Sequence, residues 1–152
     1  MDELIILVVI FIIITIWTYY KIYWNEKHRA LQQEDQVILN KIYTDICKLD
    51  DRIKNLKIYS STESYTENKT KIFLCLKTPD GIYYDYNLLI FVAIHECAHA
   101  LTNIYDDKHK SQEFKDMFRN LLEKAKTLNI YDGTKKLPDV YCGVCMKKEC
   151  KK

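Results

Sequence analysis

The sequence predicts an α+β fold: an N-terminal transmembrane helix, then a small, mostly helical domain with a short β-hairpin ahead of its central helix. Three observations carry that prediction. Leu4 to Trp17 is apolar apart from Thr15. Downstream, apolar residues recur at helical spacing in residues 25–57 and again in 111–128. Between those stretches, Lys71 to Thr78 is a short apolar run that ends at Pro79-Asp80-Gly81. The chain has 152 residues, room for one compact domain plus an anchor or tail. Only three Gly and two Pro speak against a loop-rich, all-β chain. The expected organisation is an anchor at 1–24, an amphipathic helix at 25–57, a polar loop at 58–69, the chemistry-bearing domain at 70–141 and a Cys/Lys-rich tail at 142–152.

The N-terminal run extends to Tyr20 and, as a helix, through Tyr23 and Trp24. About 20 helical residues are roughly 30 Å long, the thickness of a bilayer core. Membrane contact is therefore expected through residues 4–24. Trp17, Tyr19, Tyr20, Tyr23 and Trp24 cluster at one end, where amphipathic rings favour the interface. Asp2 and Glu3 precede the run, while Lys21, Lys27, His28 and Arg29 follow it. Basic flanks stay inside, so the C-terminal domain is expected on the cytosolic or virion-interior side. A cleaved signal peptide would start basic and end in small residues, and a buried core helix is the other alternative.

Residues from Asn25 to Leu56 lack Gly and Pro and suit a long helix. Ile42, Ile46, Leu49, Ile53 and Leu56 make one apolar stripe, expected to pack on the following domain. The competing use of that stripe is a homodimer through residues 31–56. Ser60 to Lys69 reads as a polar loop, Lys71 to Thr78 as a strand, and Ile82 to Tyr84 as its hairpin partner. Asn87 is the expected cap of a helix from Leu88 to about Asn103. Ser111 is the expected cap of a second helix reaching Leu128, with Phe114, Met117, Phe118, Leu121 and Leu122 on its apolar face. The last 24 residues read as irregular, and no internal repeat is present. Net charge is +2, from 23 basic and 21 acidic residues, which gives no case for nucleic-acid binding.

Val92-Ala93-Ile94-His95-Glu96-Cys97-Ala98-His99-Ala100-Leu101 is the informative segment. His95 and His99 lie four apart, so a helix stacks them on one face, spaced to share one Zn2+. Glu96 is turned about 100° from His95, outside direct ligation but within reach of a water on the ion. That makes Glu96 the candidate catalytic base and His95 and His99 candidate ligands, in a site that hydrolyses a protein or peptide substrate. The bland reading of the pair is ordinary core or surface histidines. Zinc with an open position needs a third protein ligand. His109, ten residues beyond His99 and past the polar turn Asp106-Asp107-Lys108, is one candidate, and Glu113 or Glu123 is another. The remaining histidine, His28, flanks the anchor.

His95-Glu96-Cys97-Ala98-His99 followed by His109-Lys110-Ser111-Gln112-Glu113-Phe114 resembles the WLM and SprT-like metallopeptidases. The stretch from Tyr83 to Tyr141 looks particularly like the WLM-like proteins of large DNA viruses, where an Asn-led helix precedes the motif and a Tyr-Cys-Gly segment follows, here Asn87 and Tyr141-Cys142-Gly143. The resemblance implies a small zincin-like domain with His95, His99 and His109 as zinc ligands and Glu96 as base. Characterised members cleave proteins, including proteins crosslinked to DNA. With an anchor and no basic module in this chain, it is the metal chemistry that carries over. The class that competes with an enzyme is a membrane-anchored structural or assembly protein that keeps the zincin-like fold without turnover.

Of the six cysteines, Cys75 and Cys97 read as buried small apolar residues. Cys142-Gly143-Val144-Cys145, with Cys150 beyond, offers a second zinc site, a thiol–disulfide pair or free thiols, and a reducing cytosol favours the last. Tyr131 and Tyr141 are candidate donors to a developing oxyanion, against ordinary packing roles among 12 Tyr. The strand at 71–78 could offer its edge to an extended peptide.

Overall fold

The computed structural model describes residues 2–104 and 109–146, with the side chains of 2–4 and 145 excepted. The long helix α1 (Asp2–Ile46) crosses a boundary between two units that meet at Val37 and Ile38.

In the first unit α1 is exposed on every side, as an apolar span outside a protein core must be: Phe11 is 67% and Ile16 63% accessible. Among the described residues this is one helix long and apolar enough to cross a membrane by length and composition. Its two threonine hydroxyls are satisfied within the helix, Thr15 to the Ile12 carbonyl at 2.8 Å and Thr18 to that of Thr15 at 2.9 Å. Lys21 and Lys27 lie over the Trp17 and Trp24 rings at 5.1 and 5.6 Å, the arrangement of charged tips above an aromatic belt.

The second unit is α+β. The last turns of α1 bury Leu39, Ile42 and Ile46. The helix ends there and a turn leads to a short 3-10 segment at Asp51–Asn55, where Leu49, Ile53 and Leu56 also reach the core. The apolar stripe is thus buried against its own domain, as expected, but it spans a break in the chain and not one helix face. Asp50 starts the segment that follows: its carboxylate caps the 3-10 turn through the Arg52 amide at 2.9 Å and accepts from the Arg52 guanidinium at 2.8 and 3.0 Å.

Three strands, β1 (Lys57–Ser61), β2 (Tyr65–Glu67) and β3 (Lys71–Cys75), form a sheet in the order β1-β3-β2. β1 runs parallel to β3, and β2 antiparallel to it. The stretch expected to be a polar loop therefore holds two strands, joined to β3 through a turn at Asn68 and Lys69, both at positive φ (49° and 56°) as a type I′ turn requires. One sheet face buries Ile72 and Leu74. The other carries a cross-strand stack of Tyr59, Phe73 and Tyr65, with centroids 5.3 and 4.6 Å apart. The expected hairpin is reduced to an antiparallel bridge between Lys77 and Tyr83 around the turn at Gly81, whose φ of 80° suits glycine.

α2 (Tyr86–Leu101) buries Leu88, Leu89, Ile90, Ala93, Ile94, Cys97 and Ala98. Its cap is Asp85, which accepts from the Asn87 amide at 2.9 Å, and not Asn87. Asn87 is buried inside the first turn and bonds the Asp132 amide and carbonyl at 2.7 and 3.0 Å, tying a distant loop to the helix. α3 (Gln112–Thr127) starts where expected, capped by Ser111 through the Phe114 amide at 3.2 Å, and lays Phe114, Leu121 and Ala125 on the core. It stops at Asn129, which takes a φ of 55° and lets the Ile130 amide reach the Ala125 carbonyl at 2.8 Å. The tail is less irregular than expected. β4 (Val140–Tyr141) and β5 (Val144–Cys145) pair across a turn with Cys142 and Gly143 at φ 45° and 76°.

Candidate metal centre

α2 places its two histidines as their spacing requires, and a residue within the α2–α3 connection completes a cluster. The His109 Nε2 lies 2.9 Å from that of His99 and 3.1 Å from that of His95. One ligand atom from each of the three lies within 4.8 Å of the others. Donors about 2.0–2.1 Å from a tetrahedral zinc stand about 3.3 Å apart, close to these separations. The polar turn at 106–108 lies outside the described residues. His109 itself takes a φ of 52°, a left-handed conformation that a non-glycine residue adopts at some cost. Glu113 does not join the cluster: its carboxylate accepts the Asn103 amide at 2.8 Å. Glu123 is exposed on α3 and outside the group as well.

The donor set fits a cation better than it fits protons. One neutral imidazole carries a single N–H, so His109 Nε2 can satisfy only one of the two ring nitrogens facing it. Burial, and then the nearby rings of His99 and His109, push His95 down to about 3, so it stays neutral and ready to donate a lone pair. Aromatic rings wall one side of the half-buried pair: the Phe114 ring is 4.4 Å from His99 and 5.1 Å from His95, and Phe118 is 5.2 Å from His95, while His109 is exposed.

Glu96 is 7% exposed and lines the same cleft as the three histidines, a cavity of about 970 Å³. Burial pushes its carboxyl up to about 7, against a hydrogen bond from Thr66 that lowers it. A carboxyl near neutrality can both take and return a proton. Thr66, on β2, lies 2.8 Å from Glu96 Oε2 and 2.9 Å from the Glu96 carbonyl. Lys69, in the β2–β3 turn, donates to the carbonyls of His99 (3.0 Å), Ile104 (2.8 Å) and Thr102. An ammonium at the C-terminal end of α2 neutralises carbonyls that no longer have helical partners. Neither residue was among the sequence candidates. The signal available was the Tyr-Thr-Glu-Asn-Lys-Thr run, β-formers beside a turn-forming Asn, set aside because it is polar.

Tyr141 lines the cleft; its phenol donates to the Cys75 carbonyl at 2.6 Å and meets Ser64 Oγ at 2.8 Å. Its proton is therefore committed to the wall. Tyr131 is buried beside Phe91 and is not part of the cleft lining. The cysteines also differ from expectation: Cys75 and Cys142 are joined in a disulfide 67 residues apart, so Cys75 is not a plain apolar residue and Cys142 does not pair within its CxxC. Cys97 is buried and free, as expected, and Cys150 lies outside the described residues. β3 is the central strand, so its edges are taken. The strand edge beside the cleft belongs to β2, whose Tyr65 and Thr66 line it.

The chain is 43% identical over 90 residues to uncharacterized protein 136R of Invertebrate iridescent virus 6, covering 57% of this chain and 49% of that protein. It is 38% identical over 91 residues to uncharacterized protein 042R of Invertebrate iridescent virus 3, covering 59% and 55%. An uncharacterized protein of Acanthamoeba polyphaga mimivirus is 32% identical over 111 residues, covering 67% and 55%. The chain thus spans about half the length of the curated relatives it matches. No family model matches it, and no solved structure does. What the comparisons establish is likeness to proteins of large DNA viruses.

Proposed function

We propose that this chain is a membrane-anchored zinc metallopeptidase of the WLM/SprT-like type, with a zincin-like domain that hydrolyses peptide bonds and, like its relatives, a viral origin. The observation that carries the reading is the convergence of the His95, His99 and His109 ring nitrogens beside a buried Glu96 in one cleft. His95, His99 and His109 would hold the ion and leave a fourth position open. An ion held there would supply Lewis acidity toward a water and a peptide carbonyl. Glu96 takes the proton of the attacking water and returns it to the leaving amine as the C–N bond breaks. Phe114 and Phe118 pack against the ligand rings and hold them in place. An extended peptide would lie along the β2 edge, pairing its main chain with the strand.

The helix through residues 4–24 anchors the domain, and the basic residues that follow place it on the cytosolic or virion-interior side. The Cys75–Cys142 disulfide weighs toward a compartment that is not strongly reducing, such as a particle interior. The substrate is then a protein held near that membrane. Metal analysis and a cleavage assay on purified full-length protein test the reading. About one zinc per chain, lost in His95→Ala, with turnover abolished in Glu96→Gln while zinc stays bound, supports it. Wild type and Glu96→Gln behaving alike would leave a non-catalytic structural or assembly protein.

A further inference from the structure

Glu96 needs more than burial to serve as a base. A glutamate has three rotatable bonds, and a proton acceptor that wanders by an ångström loses much of its effect. On its own helix, Val92, Ala93 and Ala100 lie one turn away without a side-chain donor, and the fourth such neighbour, His99, turns its Nε2 to His109. The donor comes from the sheet. Thr66 Oγ1 lies 2.8 Å from Glu96 Oε2 and 2.9 Å from the Glu96 carbonyl.

We propose that Thr66 is the positioning residue for Glu96, fixing the base to the edge strand along which substrate would lie. The proposal rests on the metallopeptidase reading above. Holding Oε2 leaves the second carboxylate oxygen for a water in the cleft. A hydroxyl has one proton and so serves one acceptor at a time. That proton goes to Oε2, and the cleft-facing oxygen is the one that takes and returns the proton of the water, so neither half of the reaction breaks the contact with Thr66. The carboxyl keeps its place through both halves of the reaction.

The orientation of Thr66 is built into β2. The strand is paired with β3, Thr66 opposite Ile72, and successive side chains alternate between faces. Tyr65 is stacked on Phe73 on the outer face at 4.6 Å, and Glu67 pairs with Lys71 at 2.7 Å. With its neighbours held outward, Thr66 is turned toward α2. A peptide that adds to the β2 edge orders the strand that holds the base, so binding and proton transfer share one residue.

The experiment compares Thr66→Val, which keeps shape and deletes the hydroxyl, with Thr66→Ser, which keeps the hydroxyl. In zinc-loaded full-length protein, Thr66→Val should lower kcat at least about tenfold with KM within about twofold and zinc content unchanged, and Thr66→Ser should stay within about threefold of wild type. In the zinc-free protein, Thr66→Val should lower Tm by about 5 °C when Glu96 is present and by clearly less in a Glu96→Ala background, where only the main-chain carbonyl is left to accept the hydroxyl. Full kcat in an active Thr66→Val enzyme, a loss confined to KM, failure of Thr66→Ser to rescue, or an equal Tm shift in both backgrounds overturns the proposal. Wild type no faster than Glu96→Gln removes the peptidase reading, and the positioning role falls with it even if the melts still register the hydrogen bond.

Discussion

The disulfide between Cys75 and Cys142 should set both the stability of the domain and the shape of one cleft wall. It joins the end of β3 to the β4–β5 turn, across 67 residues of sequence. Closing a loop of that length removes chain entropy from the unfolded state equivalent to about 4 kcal/mol at room temperature. For a domain of this size that is on the order of 15 °C in Tm. The native side of the link is reinforced locally. The Cys75 amide donates to Ser64 Oγ at 2.9 Å, Ser64 meets the Tyr141 phenol at 2.8 Å, and that phenol donates back to the Cys75 carbonyl at 2.6 Å. The Cys142 amide adds a bond to the Tyr84 phenol at 3.0 Å. Breaking the S–S bond therefore leaves Tyr141 seated and acts on the unfolded chain and on the mobility of Cys142-Gly143-Val144. Thermal melts of full-length protein with and without a phosphine reductant read the difference, with Cys142→Ser as the matched variant. Reduced wild type and Cys142→Ser should melt together, well below the oxidised protein. An oxidised protein whose Tm does not move on reduction would refute the entropy argument. A non-reduced digest that links Cys142 to Cys145 would refute the pairing.

Further expectations follow from single contacts. Glu96→Gln keeps the ligand set and removes the proton acceptor, so zinc content should hold while kcat falls by at least about a hundredfold, measured on a quenched peptide. His109→Ala should lose most of the zinc and Glu113→Ala should keep it, because the Glu113 carboxylate serves the Asn103 amide; inductively coupled plasma analysis separates the two. Asn87→Ala removes two hydrogen bonds from a buried site and strands the Asp132 main chain, a loss of roughly 1–3 kcal/mol in urea unfolding. Arg52 holds the Asp50 carboxyl down to about 2, below its unfolded value. That stabilisation is complete above about pH 4 and is lost as pH falls through about 2. It is on the order of 1–2 kcal/mol after allowance for the exposed Arg52, and Asp50→Asn should flatten this part of the pH profile of stability.

What the sequence made legible was local. The stack of His95 on His99, the Ser111 cap of α3 and the burial of Ile42 and Ile46 on α1 all follow from helical signals within a few turns, whereas Leu49, Ile53 and Leu56 are buried from beyond the end of that helix. What stayed hidden depends on partners far along the chain. Thr66 reaches Glu96 across 30 residues, Lys69 reaches His99 across 30, Asn87 reaches Asp132 across 45 and Tyr141 reaches Cys75 across 66. β2 shows why such partners escape a pattern search. It is three residues long, lies at the sheet edge and keeps one face in solvent, so it needs no apolar run. Its polar residues read as a loop because composition reports what a segment exposes, while its place in the sheet is decided by β3 beside it. The same reasoning explains Asn87. An Asn before an apolar helix is a good cap in isolation. Asp85, two residues earlier, accepts the Asn87 amide, and the Asn87 side chain is thereby free to hold the Asp132 loop. A helical motif identified the residues able to grip an ion, but the groups that hold its base and close the end of its helix were supplied by the sheet. The chemistry proposed here is therefore a property of the α2–β2 pairing and not of α2 alone. A variant that leaves His95, Glu96 and His99 intact but unpairs β2 from β3 should bind zinc and turn over poorly.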